Sequence, residues 1–315
     1  MRKSIVLPAL FIMFIILFTA PAIALTEEEY ISDAAVFRNS GHLQKAYDCY
    51  TQALRLNPKS VSALRGRGST LKAMRKFNPA IQDLSKAIKI DPTYIPVYYE
   101  RSSCYLRLKQ YNKAIADARK MLAIKPNHAI AYYDLGSIYT FSGKYQLAIQ
   151  NFDLAIKAYP KLGVFYLDRG IVYLLTGNFK QADYDFKKAV ELDANHPYFQ
   201  LFFGLAEQRT GGDGLTQFNK VLKENKITRW PRPLYELFAG KITPAQCLGK
   251  VESTDNYAMK EQKCEAFFYI GEYYLIKKDK TKAAEYFRKS ISTGVDWYYE
   301  YYLAKTELKR LGVKI

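Results

Sequence analysis

From residue 27 to residue 196, apolar, small and polar positions recur with a fixed period of 34 residues and no insertion. The segments begin at Glu27, Val61, Ile95, Ala129 and Gly163. Position 20 of each is alanine: Ala46, Ala80, Ala114, Ala148 and Ala182. Position 8 is small (Ala34, Gly68, Ser102, Gly136, Gly170), whereas positions 4 and 11 are large and mostly aromatic (Tyr98, Tyr132 and Tyr166; Tyr105, Tyr139 and Tyr173). Position 32 is Pro58, Pro92, Pro126 and Pro160, with Ala194 in the fifth segment. This pattern predicts two antiparallel helices per segment. The large residues share one face of the first helix, and the small ones let the pair approach closely. Proline ends the second helix because it lacks an N–H and disfavours helix in the residue before it. One such pair cannot bury its apolar face alone, so the units must stack.

After His196 the pattern weakens. Leu201-Phe202-Phe203-Gly204 opens a first helix, and Gly211-Gly212-Asp213-Gly214 reads as a turn. No phosphate-loop spacing accompanies these glycines. Trp230-Pro231-Arg232-Pro233 is a rigid non-helical entry to short helices over 234–239 and 244–251, followed by a polar loop over 252–258. Periodicity resumes at Cys264, with Phe267, Ile270, Gly271, Tyr274, Ala283 and Phe287 in repeat register. The expected organisation is five repeats over 25–196 (27–60, 61–94, 95–128, 129–162, 163–196), a degenerate repeat and irregular helical insert over 197–263, a further repeat over 264–297, and a capping helix and tail over 298–315.

The 34-residue period and its small/large pattern resemble the tetratricopeptide repeat (TPR) family. The resemblance implies an all-α, right-handed superhelix of helix-turn-helix repeats, an α-solenoid. It also implies that positions 2, 5, 9, 12 and 13 of each repeat face an inner groove. Those positions supply the candidate partner-binding residues Arg65, Ser69, Lys72, Tyr99, Ser103, Arg107, Tyr133, Ser137 and Phe141. The groove then becomes apolar at Val164, Leu167, Ile171, Leu174 and Leu175, an end that the region after residue 197 is expected to cover. The carboxylate clamp of chaperone-binding TPR domains is not evident, since Ile31 and Ala35 stand at clamp-type positions. The blocks Trp230-Pro231, Leu237 to Thr243, Cys264 to Tyr274 and Gly294-Val295 are similar to exported bacterial TPR proteins of the lipoprotein NlpI type. That likeness implies an envelope adaptor for proteases or cell-wall hydrolases. Lipoproteins of that type carry an acylated N-terminal Cys, and this chain has none near its expected cleavage point.

The expected cleavage point follows from the first residues. Arg2 and Lys3 precede an apolar run over 5–20, then Ala22-Ile23-Ala24 and an acidic stretch. This order predicts a secretory signal peptide cut after Ala24, the alternative being an uncleaved N-terminal anchor. The chain carries 47 Lys+Arg against 30 Asp+Glu, a net charge of +17. Export turns attention from nucleic acid to acidic proteins, glycans and anionic envelope surfaces. Residues 51–128 carry 16 basic and 4 acidic residues, net +12, so the imbalance concentrates in the second and third repeats.

Little points to catalysis. His42, His128 and His196 lie far apart in sequence, and no HExxH, CxxC or GxSxG occurs. The expected sets of catalytic residues, metal ligands and cofactors are therefore empty. Cys49 and Cys104 read as small packing residues inside helices. Cys247 and Cys264 flank the polar loop and are either a disulfide, permitted in an oxidising compartment, or two buried thiols. The 27 tyrosines fall largely at packing positions, among them Tyr111 and Tyr145. The expected function is an exported protein–protein interaction scaffold whose groove takes an acidic partner, with no nucleic-acid role. Cell-wall glycan binding, or self-assembly as a homodimer, is the alternative.

Overall fold

The computed structural model describes residues 25–224, 227–253 and 255–314. The expected signal peptide lies outside the described residues. Ten helices form five consecutive antiparallel pairs: α1 (Glu27–Asn39) with α2 (Leu43–Leu56), α3 (Val61–Ala73) with α4 (Phe77–Ile90), α5 (Ile95–Arg107) with α6 (Tyr111–Ile124), α7 (Ala129–Phe141) with α8 (Tyr145–Ala158), and α9 (Gly163–Thr176) with α10 (Phe179–Leu192). Then follow α11 (Pro197–Thr210), α12 (Gly214–Glu224), α13 (Arg232–Phe238), α14 (Pro244–Gly249), α15 (Asn256–Ile276), α16 (Lys280–Ser292) and α17 (Tyr299–Arg310). The fold is all-α, built from stacked helix pairs and closed by α17. No described helix is long and apolar enough to cross a membrane.

Close approach within a pair explains the small residues. A Cβ on Gly136 would lie 2.6 Å from the Phe152 ring, and one on Gly170 would lie 2.6 Å from Phe186. The same contact recurs between Gly271 and Phe287. The alanines at position 20 are fully buried, as are Ala53, Ala87, Ala155 and Ala189 seven residues later. Tyr98, Tyr139 and Tyr166 are buried as packing residues.

Neighbouring pairs are also joined by a polar staple. Arg67 donates to both carboxylate oxygens of Asp83 and to Thr51 of the preceding pair. Arg101 does the same to Asp117 and Ser85, and Arg169 to Asp185 and Asp153. Each arginine lies 16 residues before its first partner and 16 after its second. Burial raises the Asp117 and Asp185 carboxyls above their ordinary values despite these guanidinium bonds. Burying such a pair adds little net stability, although removing one partner alone strands a buried charge.

The C-terminal third is more regular than the sequence suggests. Helices α11 and α12 form a sixth pair, with Gly204 against Phe218 at a spacing of 14 rather than 16 residues. Gly214 lies against the backbone of Gly204, a position where the earlier repeats use alanine. Helix α15 begins at Asn256, two turns before Cys264. Asp255 caps it by accepting from the Tyr257 and Ala258 amides, so residues 256–258 of the expected polar loop are helix. The expected Cys247–Cys264 disulfide is not formed. Cys247 Sγ faces the Pro233 carbonyl at 3.6 Å and Cys264 Sγ faces Ser290 Oγ at 3.4 Å, and all four cysteines are free. The two thiols are packed in different interfaces.

Packing divides the molecule. The first four pairs hold small apolar clusters shared between neighbours. From Tyr166 on α9 to Leu308 on α17, one continuous cluster joins α9 to α13 with α15, α16 and α17. Helices α15 and α17 consequently lie against the inner face of the earlier repeats.

Candidate functional site: the inner groove

The first helices α3, α5, α7 and α9 carry the residues expected to face a partner. At the α9 end, Leu167, Ile171, Leu174 and Leu175 are buried. Leu174 shares a small cavity with Phe268 of α15 and Leu303 of α17. Arg310 donates to the Leu174 carbonyl. The apolar end is thus covered, by Leu205 of α11 after residue 197 together with the last repeat and the closing helix.

The aromatic part of the groove is filled from the same side. Phe141 stacks on Tyr299 of α17 at 5.1 Å between centroids and meets the edge of Tyr302. Tyr133 packs between Phe152 and Phe165 and donates its hydroxyl to Asp168 Oδ2 at 2.9 Å. Tyr299 donates to that same oxygen at 2.9 Å. Burial raises the Asp168 carboxyl to about 6, and the two tyrosine bonds restrain the rise. Ser137 bonds back to the Tyr133 carbonyl, and Tyr99 is buried deeply enough to raise its phenol to about 12. Asp134, beneath this face, is raised to about 7 by burial and accepts from Ser102 at 2.5 Å.

The basic part is only partly occupied. Lys72 pairs with Glu100, which also accepts from Ser69 at 3.4 Å. Arg65 lies over the Tyr94 ring at 5.7 Å. Arg75 pairs with Glu261 of α15 at 2.6 Å, and Trp297 donates to the same Glu261 oxygen at 2.9 Å. Arg107 lies over Trp297 at 4.6 Å and over Phe77 at 5.3 Å. Lys109 pairs with Asp296 at the rim. Among the described residues, the Nε atoms of Arg65 and Arg107 are buried without a hydrogen-bond acceptor. Ser103 stays half-buried on α5. The nine expected groove residues thus divide into a filled aromatic section and a basic section with two unsatisfied guanidinium donors.

Arg75 and Lys109 were absent from the expected groove set. Both occupy position 15, immediately after the first helix, where Gly41, Gly143 and Gly177 stand in the other three of the five repeats. Both are left-handed, with φ of 60° and 56°. That conformation costs a non-glycine residue roughly 1–2 kcal/mol. Lys278 holds the same position and conformation in the last repeat (φ 61°), so the register alone does not mark a groove residue.

A larger cleft, of about 730 Å³, lies elsewhere, between the α12–α13 connection and α15, lined in part by Arg229, Arg232, Glu236 and Lys250. Its lining holds three cationic side chains, Arg229, Arg232 and Lys250, against Glu236 and Glu252, and Arg232 and Lys250 share Glu236. Among the described residues no group of His, Cys, Asp and Glu could hold a metal ion.

Comparison with known proteins places this architecture. Models described as tetratricopeptide repeat match residues 66–94, 95–128, 129–162, 164–196 and 265–293, together half of the chain. A tetratricopeptide repeat protein from Parabacteroides merdae is 20% identical, with a TM-score of 0.56, covering 90% of this chain and 98% of its own. TTC0263, a TPR protein of Thermus thermophilus, is 18% identical at a TM-score of 0.52, covering 57% of this chain and 98% of its own. MamA is 28% identical over 51% of this chain and 94% of its own, at a TM-score of 0.44.

Proposed function

The chain belongs to the tetratricopeptide repeat family, whose domains bind other proteins and are generally non-catalytic, and from that premise we propose that it is an exported adaptor recruiting acidic protein partners through the basic section of its groove. The observation that carries this reading is the pair of buried, acceptor-less Nε atoms of Arg65 and Arg107 in the stretch of net charge +12. A buried donor without an acceptor costs about 1–3 kcal/mol; both Nε atoms are covered in the free protein, so a partner carboxylate recovers that cost only once the rings over them move aside. The positive field also raises the rate of encounter with acidic partners.

The setting proposed is the cell envelope, after removal of residues 1–24, with proteases or cell-wall hydrolases as the partners. The sequence features over residues 1–24 and the NlpI-type blocks support that setting. Affinity capture with residues 25–315, against an Arg65→Glu/Arg107→Glu variant, tests the reading. Partners retained by the native chain and lost by a folded variant support it. Equal capture by both forms refutes the groove assignment. N-terminal sequencing of the protein from cells tests export: a chain beginning at Leu25 supports cleavage, and one beginning at Met1 supports an anchor.

A further inference from the structure

The basic section of the groove already holds a ligand of sorts, supplied by the chain itself. Helix α16 ends at Ser292 and α17 begins at Tyr299. The connector between them places Asp296 on Lys109 and inserts Trp297 against Arg75 and Arg107. Glu261 completes the set as acceptor for both Arg75 and the Trp297 indole N–H. An aromatic ring between two guanidinium groups, with carboxylates at either side, is a specific recognition geometry. Cation–π contact and charge-assisted bonds both contribute to it.

Three features indicate that this occupancy is replaceable. First, Asp296–Lys109 is a rim pair with side chains 30% and 55% exposed; such pairs contribute little net stability. Second, a residual cavity of about 30 Å³ remains beside Trp297, lined by Arg107, Tyr111, Phe141 and Tyr302 among others. Third, α17 is held independently of the connector, since Leu303, Ala304 and Leu308 are buried in the C-terminal core. Val295 is fully buried and anchors the start of the connector, so it is the Asp296-Trp297 tip that leaves the groove while α17 stays docked. The site is not fully satisfied by its occupant: Arg107 Nε lacks an acceptor among the described residues. Desolvation and the neighbouring Arg75 also weaken the Arg107 guanidinium's hold on its proton.

We propose that Arg75, Arg107 and Lys109 recognise a partner segment in which Trp or Tyr adjoins Asp or Glu, and that Asp296-Trp297 occupies this site in cis as a built-in competitor. The inference rests on the adaptor reading and specifies its partner class. A partner must displace the connector, so apparent affinity falls by the fraction of time the site is open.

The test uses a fluorescently labelled peptide with the sequence of residues 293–302, titrated by anisotropy into residues 25–315. Native chain is compared with an Asp296→Ser/Trp297→Ser variant, and helicity and melting are recorded for both. The emptied variant is expected to bind at least tenfold more tightly than the native chain. Adding Arg107→Ala to the emptied variant is expected to reverse that gain. If the double variant loses helicity, Asp296→Asn alone, at the exposed rim, provides the comparison, with a smaller gain in the same direction. Equal, Arg107-dependent binding by native and emptied chains overturns the competitor while leaving the adaptor reading intact. No binding by a folded, emptied variant overturns the partner class, and the capture experiment above then decides the adaptor reading separately. A native mass by light scattering of twice the monomer, reduced by the peptide, overturns occupancy in cis in favour of exchange between two copies.

Discussion

Removing one oxygen, by Tyr299→Phe, tests how the closing helix is held on the groove. The substitution keeps the ring stacked on Phe141 and deletes one of two hydroxyl donors to Asp168 Oδ2. A hydrogen bond to a charged group contributes about 1.5–3 kcal/mol, and one between neutral groups about 0.5–1.5 kcal/mol. Which figure applies depends on whether Asp168 is ionised. Its folded pKa is raised from 3.8 to about 6, so its ionisation opposes folding. That opposition is absent below the unfolded value, grows between about pH 4 and 6, and is complete above the folded value. Losing the Tyr299 donor raises the folded pKa further and enlarges the cost only where Asp168 is ionised. Tyr299→Phe is therefore expected to destabilise the docked helix by roughly 2 kcal/mol at pH 8 and by about 1 kcal/mol at pH 5. Urea titrations followed by Trp297 fluorescence in a Trp230→Phe background read this out, because Trp297 lies two residues before Tyr299. Phe141→Leu is the control, since it removes ring contact without touching the carboxylate and its cost should not vary with pH. An equal cost of Tyr299→Phe at both pH values would refute the reasoning.

Other parts of the fold give further expectations. Gly136→Ala places a methyl 2.6 Å from the Phe152 ring and should cost about 1–3 kcal/mol by overpacking. Gly143→Ala, at φ +76° with open space around it, should cost only the left-handed backbone penalty of about 1 kcal/mol; denaturant midpoints of the two variants compare them. Asp117→Ala leaves the part-buried Arg101 with Ser85 alone and should lower stability toward the low end of about 3–5 kcal/mol, with Arg101→Met/Asp117→Leu recovering most of it in the same assay. Cys104, Cys247 and Cys264, buried and each pushed up to about 12, should react with a thiol reagent only on unfolding, whereas half-buried Cys49 reacts first; peptide mapping after timed labelling distinguishes them.

The repeats were legible because each rule they follow is local. Gly136 and Phe152, or Ala114 and its partner helix, meet within a single 34-residue unit, so period and residue size suffice to place them. The sixth pair was obscured because its two helices meet two residues earlier. Gly214 there replaces the expected alanine, and it sits in a cluster that reads as a turn. The staples were hidden in the net charge: Arg67 and Arg101 counted towards a basic surface, yet their 16-residue spacing to Asp83 and Asp117 marks them as internal. The face that Tyr133 and Phe141 belong to could be read from their repeat positions. That Tyr299 would lie on it could not, since no period connects residues so far apart in the chain. Arg75 and Lys109 were not readable from their register, since Lys278 stands at the same left-handed position of the last repeat.

The covering of α9 by α17 also changes what kind of object this solenoid is. A simple repeat stack grows by addition, each unit resting on the one before, and folding can spread along it from any point. Here the last helix touches the middle of the stack, with Arg310 bonded to the Leu174 carbonyl and Tyr299 bonded to Asp168. The stack becomes a loop that cannot close until α17 has been made. During synthesis α3 to α9 emerge well before residue 297, so their inner face stays open to other proteins for that interval.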